Sequence, residues 1–175
     1  MIQGGPNRKE VDAIKAVLED FIKWARKNTP DQEANRDEPH CWEVALLSPY
    51  QAQRRGIRDM VRSLTGLRFE TRFDLRQMNP PTNVALTVNS SDRFQGQEAD
   101  IVVLSMRNGA RKGFLDSPNR MNVATTRARE WRLIVGNYDY FSGELKPKNG
   151  RKCNDPMLNA FAKAHKKVSL KELKQ

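Results

Sequence analysis

Three short apolar runs constrain what this chain can fold into: Val84–Val88 (VALTV), Ile101–Ser105 (IVVLS) and Leu133–Gly136 (LIVG). They are rich in β-branched residues and do not alternate with polar ones, so each reads as a strand buried on both faces. EVALLS (43–48) adds a fourth, ended by Pro49. Between the runs lie stretches of helical period. Residues 8–27 place Val11, Ile14, Leu18, Phe21, Ile22 and Ala25 on one face, and Asn7 with Glu10 resembles a capping box. Residues 51–64 do the same with Ile57, Met60, Val61 and Leu64. A further helix is expected at about 119–129. Helices interspersed among doubly buried strands predict an α/β fold with a mainly parallel sheet flanked by helices.

The chain has 175 residues, enough for one domain with a single core. Residues 28–40 are polar and read as a loop. Leu67, Phe69, Thr71, Phe73 and Leu75 alternate, which predicts a half-buried extended segment, and Asn79-Pro80-Pro81 breaks the chain. The expected division is a main unit over 1–141 and a C-terminal part over 142–175. The latter comprises a basic linker (142–154) and a helix from about Asp155 that carries Met157, Leu158 and Phe161 into the core. The end, KKVSLKELKQ, is expected to fray.

Lys plus Arg number 31 against 21 Asp plus Glu, a net charge of +10. This excess favours a polyanionic partner, nucleic acid first. No run approaches the roughly 20 apolar residues of a membrane span, and MIQGGPNRKE has no signal-peptide core. The expectation is an intracellular protein with no membrane partner. Cys41, Cys153, His40 and His165 do not assemble the roughly four closely spaced ligands of a zinc site, so no metal site is expected.

Two segments carry chemistry: NSSDRFQGQEADIVVLS (89–105) and NRMNVATTRAREWRLIVG (119–136). Open α/β sheets bind ligands beyond the carboxyl ends of their strands, where the loop after Val88 is expected to lie. Gly96 would let the backbone approach a ligand closely. Glu98 could accept from a ribose hydroxyl, and Gln95 and Gln97 could orient a phosphate or a water. Ser90 and Ser91 could donate to a nucleic-acid backbone. Arg127 and Arg129, two apart on a helix, would point in nearly opposite directions, so only one could reach a given phosphate as an arginine finger. Taken singly, QGQE is an ordinary turn and TRAR a solvated helix surface. Arg54, Arg58 and Arg62 form a stripe that could follow a phosphate backbone or simply face solvent. Tyr50 and Trp131 could stack on bases, with a core position the other reading of Trp131. There is no GxxxxGK(S/T) phosphate loop, and no acidic pair following a strand to hold Mg²⁺. By itself the chain is not expected to hydrolyse ATP efficiently.

Together these segments resemble a family. LSPYQAQ (47–53) resembles the (T/S)PYxxQ motif of superfamily 1 helicases. SSDRFQGQEADIVVLS (90–105) is similar to their motif V, and GFLDSPNRMNVATTRAR (113–129) to the stretch ending in motif VI. Order and spacing fit from about Asn7 to Tyr138. The likeness is to RNA-surveillance and tRNA/snRNA-processing helicases and their DNA-replication relatives.

The resemblance implies two RecA-like domains with ATP and Mg²⁺ in the cleft between them. This chain resembles the second, a RecA-like domain of P-loop NTPase type without its own phosphate loop; the first would supply that loop and the Mg²⁺ acid. By the resemblance, Arg127 contacts the γ-phosphate as arginine finger, with Arg129 the secondary candidate. Glu98 binds the ribose, and Gln95 and Gly96 pack near the phosphates. Ser90, Ser91, Pro49 and Tyr50 touch single-stranded RNA or DNA, with Arg54 and Arg58 beside them. The implied partners are that strand and the first RecA-like domain of the same polypeptide. The family's QYRMHP motif is missing, Thr125 replaces the usual Leu of motif VI, and 67–81 follow no family pattern. The implied activity is that of an ATP-dependent helicase; the alternative is a non-catalytic nucleic-acid- or protein-binding module derived from one. A Rossmann enzyme is disfavoured because no GxGxxG follows a strand.

Overall fold

The computed structural model describes residues 5–28, 41–68, 71–107, 126–144 and 155–168. Helix α1 (Arg8–Ala25) begins at the expected capping box: Asn7 Nδ2 donates to Glu10 Oε1 at 2.9 Å, and Glu10 N donates to Asn7 Oδ1 at 3.5 Å. It buries Ala13, Ile14, Leu18, Ile22 and Ala25. Strand β1 (Trp42–Leu47) leads through the Pro49-Tyr50 turn into α2 (Gln51–Thr65). That helix is closed by Gly66, whose φ of 72° lets its N–H reach Arg62 O.

The alternating segment after α2 forms only a three-residue strand, β2 (Arg72–Asp74), antiparallel to β3. Phe73 and Leu75 are buried and Thr71 is exposed; Phe69 lies outside the described residues. The strand stops because Asp74 accepts from Arg76 N and grips the Arg76 guanidinium, turning Leu75–Gln77 into a single 3₁₀ turn.

Strands β3 (Val84–Asn89), β4 (Ala99–Ser105) and β5 (Ala128–Val135) complete a sheet of order β2-β3-β1-β4-β5, parallel except for β2. One face packs Val44, Leu46, Leu86, Val88, Ile101 and Val103 against α1 and α2 through Ile14, Leu18, Ile57 and Val61. The other buries Ala45, Leu47, Val102 and Leu104 under Phe94, Phe141, Leu158 and Ala162. Two covered faces account for the uninterrupted apolar runs. Phe141 belongs to the short helix α3 (Tyr138–Phe141), and Leu158 and Ala162 to α4 (Pro156–Lys163). Helix α4 starts where expected: Asp155 Oδ1 accepts from Met157 N and Leu158 N, with Pro156 in the first turn. Leu158 is buried, whereas Met157 and Phe161 are only half-buried.

The expected helix at 119–129 needs correction at its end. Residues 119–125 lie outside the described residues, but Ala128 and Arg129 are the first residues of β5, paired with β4 through Ala99↔Ala128. The strand thus begins well before the apolar run at Leu133, because the backbone ladder continues under polar side chains. The argument that Arg127 and Arg129 diverge on a helix lapses, since Arg129 lies in β5, where an extra residue between Ala128 and Trp131 bulges the strand against β4. Of the 28–40 loop only Asn28 is described, and most of 142–154 and of the C-terminal end lies outside the described residues. No helix among the described residues is long and apolar enough to cross a membrane.

Candidate functional site at two edges of the sheet

Strands β3 and β4 flank β1 and run parallel to it, so the chain between them must return to the starting edge. Residues 90–98 make that return without a helix. The register shows it: Asn89 lies opposite Leu47 at the carboxyl end of β1, while Ile101 lies opposite Val44 near its amino end. Midway, Phe94 is 3% exposed and sits among Ala45, Leu47, Ala99, Val102 and Leu104. Gln97 N donates to Phe94 O, and Gly96 takes a φ of 82° in the turn. The expectation that this whole loop lies at the carboxyl edge is therefore corrected. Ser90 and Ser91 are there; Gln97 and Glu98 arrive at the amino edge, with Gln95 and Gly96 leading to them.

At the amino edge, Glu98 meets Arg129. Arg129 Nε lies 3.3 Å from Glu98 Oε2, and Arg129 Nη1 3.3 Å from Asp100 Oδ1. Asp100 is buried, and its other oxygen accepts from Glu43 N at 2.8 Å. Burial alone would lower the Arg129 pKa, but the hydrogen bond to Glu98 and the charge of Asp100 outweigh it and push the value above the ordinary one. Arg127 sits just before β5, and its backbone oxygen accepts from Ala99 N at 3.0 Å. Its Nε is buried with no hydrogen-bond partner among the described residues. A buried guanidinium donor without an acceptor is costly, and an anionic oxygen is its natural complement. The two arginines therefore differ: Arg129 is neutralised by two carboxylates, whereas Arg127 keeps an unsatisfied donor. Glu98 is 57% exposed at the side chain and oriented by Arg129; Gln95 and Gly96 are exposed beside it.

At the carboxyl edge, Arg54 Nη1 donates to Ser48 O and Pro49 O, both at 2.9 Å, and so braces the Pro49-Tyr50 turn. Burial, then the charges of Arg58 and Arg93, push its pKa below the ordinary arginine value. Arg58 is half-buried with an unpartnered Nε, and Arg62 pairs with Asp59 at 3.3 Å. The expected stripe is thus one brace, one half-buried cation and one paired surface charge. Ser90 and Ser91 are 9% and 1% exposed, so neither hydroxyl lies open on the surface. Ser90 Oγ accepts from Arg93 N, and Ser91 Oγ has no partner among the described residues.

Sequence reasoning missed what supports this edge. Arg107, just past β4, lies over the Tyr50 ring at 5.6 Å and has a φ of 39°. Its N–H donates to Glu10 Oε2 at 2.9 Å, and the same oxygen accepts from Ser105 Oγ at 2.7 Å. Gln53 closes the network, donating to Ser105 Oγ at 3.0 Å and accepting from Asn7 N at 2.7 Å. The available signal for Arg107 was its place immediately after a strand's carboxyl end.

Comparison with known proteins gives these edges a context. A family model described as an AAA domain matches residues 4–139. The Regulator of nonsense transcripts 1 homolog of Neurospora crassa is 33% identical over 134 residues, covering 75% of this chain and 10% of that protein. Its Drosophila melanogaster counterpart is 29% identical over 134 residues, covering 75% and 9%. The mouse 5'-3' DNA helicase ZGRF1 is 48% identical over 56 residues, 32% of this chain and 3% of that protein. The chain thus spans a tenth or less of each of these relatives. With the parallel sheet, motif V crossing its face and motif VI entering β5, the match over most of the chain places it in the AAA_12 family, the C-terminal RecA-like domain of superfamily 1 helicases.

Proposed function

We propose that this domain is the C-terminal RecA-like half of an ATP-dependent nucleic-acid helicase, with the nucleotide taken at the amino edge of its sheet and the single strand at the carboxyl edge. The unsatisfied, buried Nε of Arg127, a residue whose backbone pairs with Ala99 between Glu98 and Asp100, carries the reading. Arg127 would place its guanidinium against the charge that develops on a transferring phosphoryl group. Glu98, oriented by Arg129, would accept from a ribose hydroxyl, and Gly96 would leave the backbone open to the ligand. ATP supplies the phosphoanhydride cleaved, and Mg²⁺ and the phosphate loop would come from a first RecA-like domain. Pro49, Tyr50, Arg54 and Arg58 would hold the strand at the other edge, with the Ser90-Ser91 turn beneath. The loop 90–98, anchored by Phe94, joins the two edges. Residues 1–141 form the working unit of the proposal, and 142–175 an appendage whose helix α4 docks on it through Leu158 and Ala162.

The test is steady-state ATP hydrolysis by the two-domain enzyme. Arginine fingers contribute about 10³–10⁵ in kcat, so Arg127→Ala is expected to lose turnover on that scale. Full turnover by this variant would refute the role. Arg129→Ala is expected to act through Glu98, raising KM more than it lowers kcat. This chain alone is expected to have negligible ATPase activity.

A further inference from the structure

All three tryptophans of the chain meet in one cluster. Trp24, on the last turn of α1, lies 5.4 Å from Trp42 at the start of β1 and 6.3 Å from Trp131 on β5, ring centroid to centroid. Phe21 stacks on Trp24 at 5.7 Å and meets Trp42 edge-on at 6.2 Å. Trp42 is the floor: it is half-buried, and its indole N–H donates to Asn28 O at 2.9 Å. Trp24 and Trp131 form the outer layer, 41% and 58% exposed. The core position considered for Trp131 is thus excluded, although the next residues on its face of β5, Leu133 and Val135, do pack against the core.

Single exposed apolar residues are ordinary, but two contiguous exposed indoles held by a third are a patch. Cations border it. Lys23 and Lys27 flank Trp24 on the exposed end of α1, with Lys23 paired to Asp20 at 3.2 Å, while Arg132, one residue beyond Trp131 in the strand, faces the other side of the sheet. An aromatic surface edged by the lysines of α1 offers stacking faces and cations to the bases and phosphates of a single strand, and the net charge of +10 favours such a polyanion. We propose that Trp24 and Trp131 form a base-stacking platform for single-stranded nucleic acid, separate from the Tyr50 edge. The inference extends the nucleic-acid part of the reading above and does not depend on the role of Arg127.

Because every tryptophan lies in the cluster, intrinsic fluorescence of this chain reports on the platform directly. The probes are an oligothymidylate of about 12 nucleotides, within common single-strand site sizes, and an abasic oligonucleotide of equal length. The oligothymidylate is expected to quench the emission and the abasic strand to leave it unchanged. Trp131→Ala is expected to weaken oligothymidylate binding, followed by anisotropy, roughly 5- to 150-fold, the equivalent of one lost stack. Trp131→Phe should restore most of it. Equal quenching by the abasic strand would overturn the platform. So would unchanged affinity in Trp131→Ala; if that binding were lost in Arg58→Ala, the carboxyl-edge reading would stand alone. An emission shift that grows with protein concentration without nucleic acid would assign the patch to self-association and also overturn it.

Discussion

Glu10 offers the sharpest test of how the carboxyl edge is held. It looks like one half of a helix cap, yet it is 5% exposed and accepts from Asn7 Nδ2, Ser105 Oγ and Arg107 N. Glu10→Ala removes all three of those acceptor contacts. Asn7 lies near the surface and can turn to water. Ser105 is fully buried and keeps only its bond from Gln53, and the Arg107 N–H loses a charged acceptor. Each buried donor left without its partner costs about 1–3 kcal/mol. With some relaxation the expected destabilisation is about 3–5 kcal/mol, in the upper tail of single substitutions. For a chain of this size it corresponds to a fall in Tm of roughly 6–20 °C. Glu10→Gln should cost only about 1–2 kcal/mol. Its carbonyl can still accept from Ser105 and Arg107, its amide can face the Asn7 oxygen, and only the charge assistance is lost. Urea denaturation of the parent and both variants, with slopes compared, measures the difference. Glu10→Ala within about 0.5 kcal/mol of the parent would refute the reasoning, as would equal values for Ala and Gln.

Two further expectations follow from the geometry. Phe94→Ala should cost about 3–5 kcal/mol and raise hydrogen exchange across residues 90–98, because that ring anchors the crossing loop; unchanged exchange there would mean the loop is held by its turns alone. The hydrogen bond from the Arg76 side chain, more than any other cause, holds the Asp74 carboxyl below the ordinary aspartate range. Its contribution is therefore present above the unfolded value of about 3.9 and lost as pH falls through the lower folded value; a carboxyl NMR titration with an ordinary midpoint would contradict the pairing.

Much of the fold was legible because burial leaves a local period. The apolar faces of α1 and α2, the Asn7–Glu10 box and the Asp155 cap each lie within a few residues, where propensity and capping act. The strand cores were legible for the same reason. The start of β5 was not: Arg129–Arg132 are exposed, and what makes them a strand is backbone pairing with β4. The short β2 was masked by an alternation that Asp74 and Arg76 interrupt.

The site divides along the same line. Residue chemistry alone offered Glu98 as a hydrogen-bond acceptor and left Arg127 and Arg129 undivided; the resemblance to superfamily 1 helicases singled out Arg127 and the Pro49-Tyr50 turn. Neither could say that Glu98 is paired with Arg129, that Arg54 is a brace, or that Ser91 is buried, since each depends on a neighbour distant in sequence. Nor could either place the loop 90–98 at both edges of the sheet, or bring Trp24, Trp42 and Trp131 to one surface. Periodicity and motif spacing are local and survive in the bare sequence. Strand order and register are long-range; by setting β1 between β3 and β4, they force motif V to cross the sheet and put the Arg127 edge opposite the Tyr50 edge.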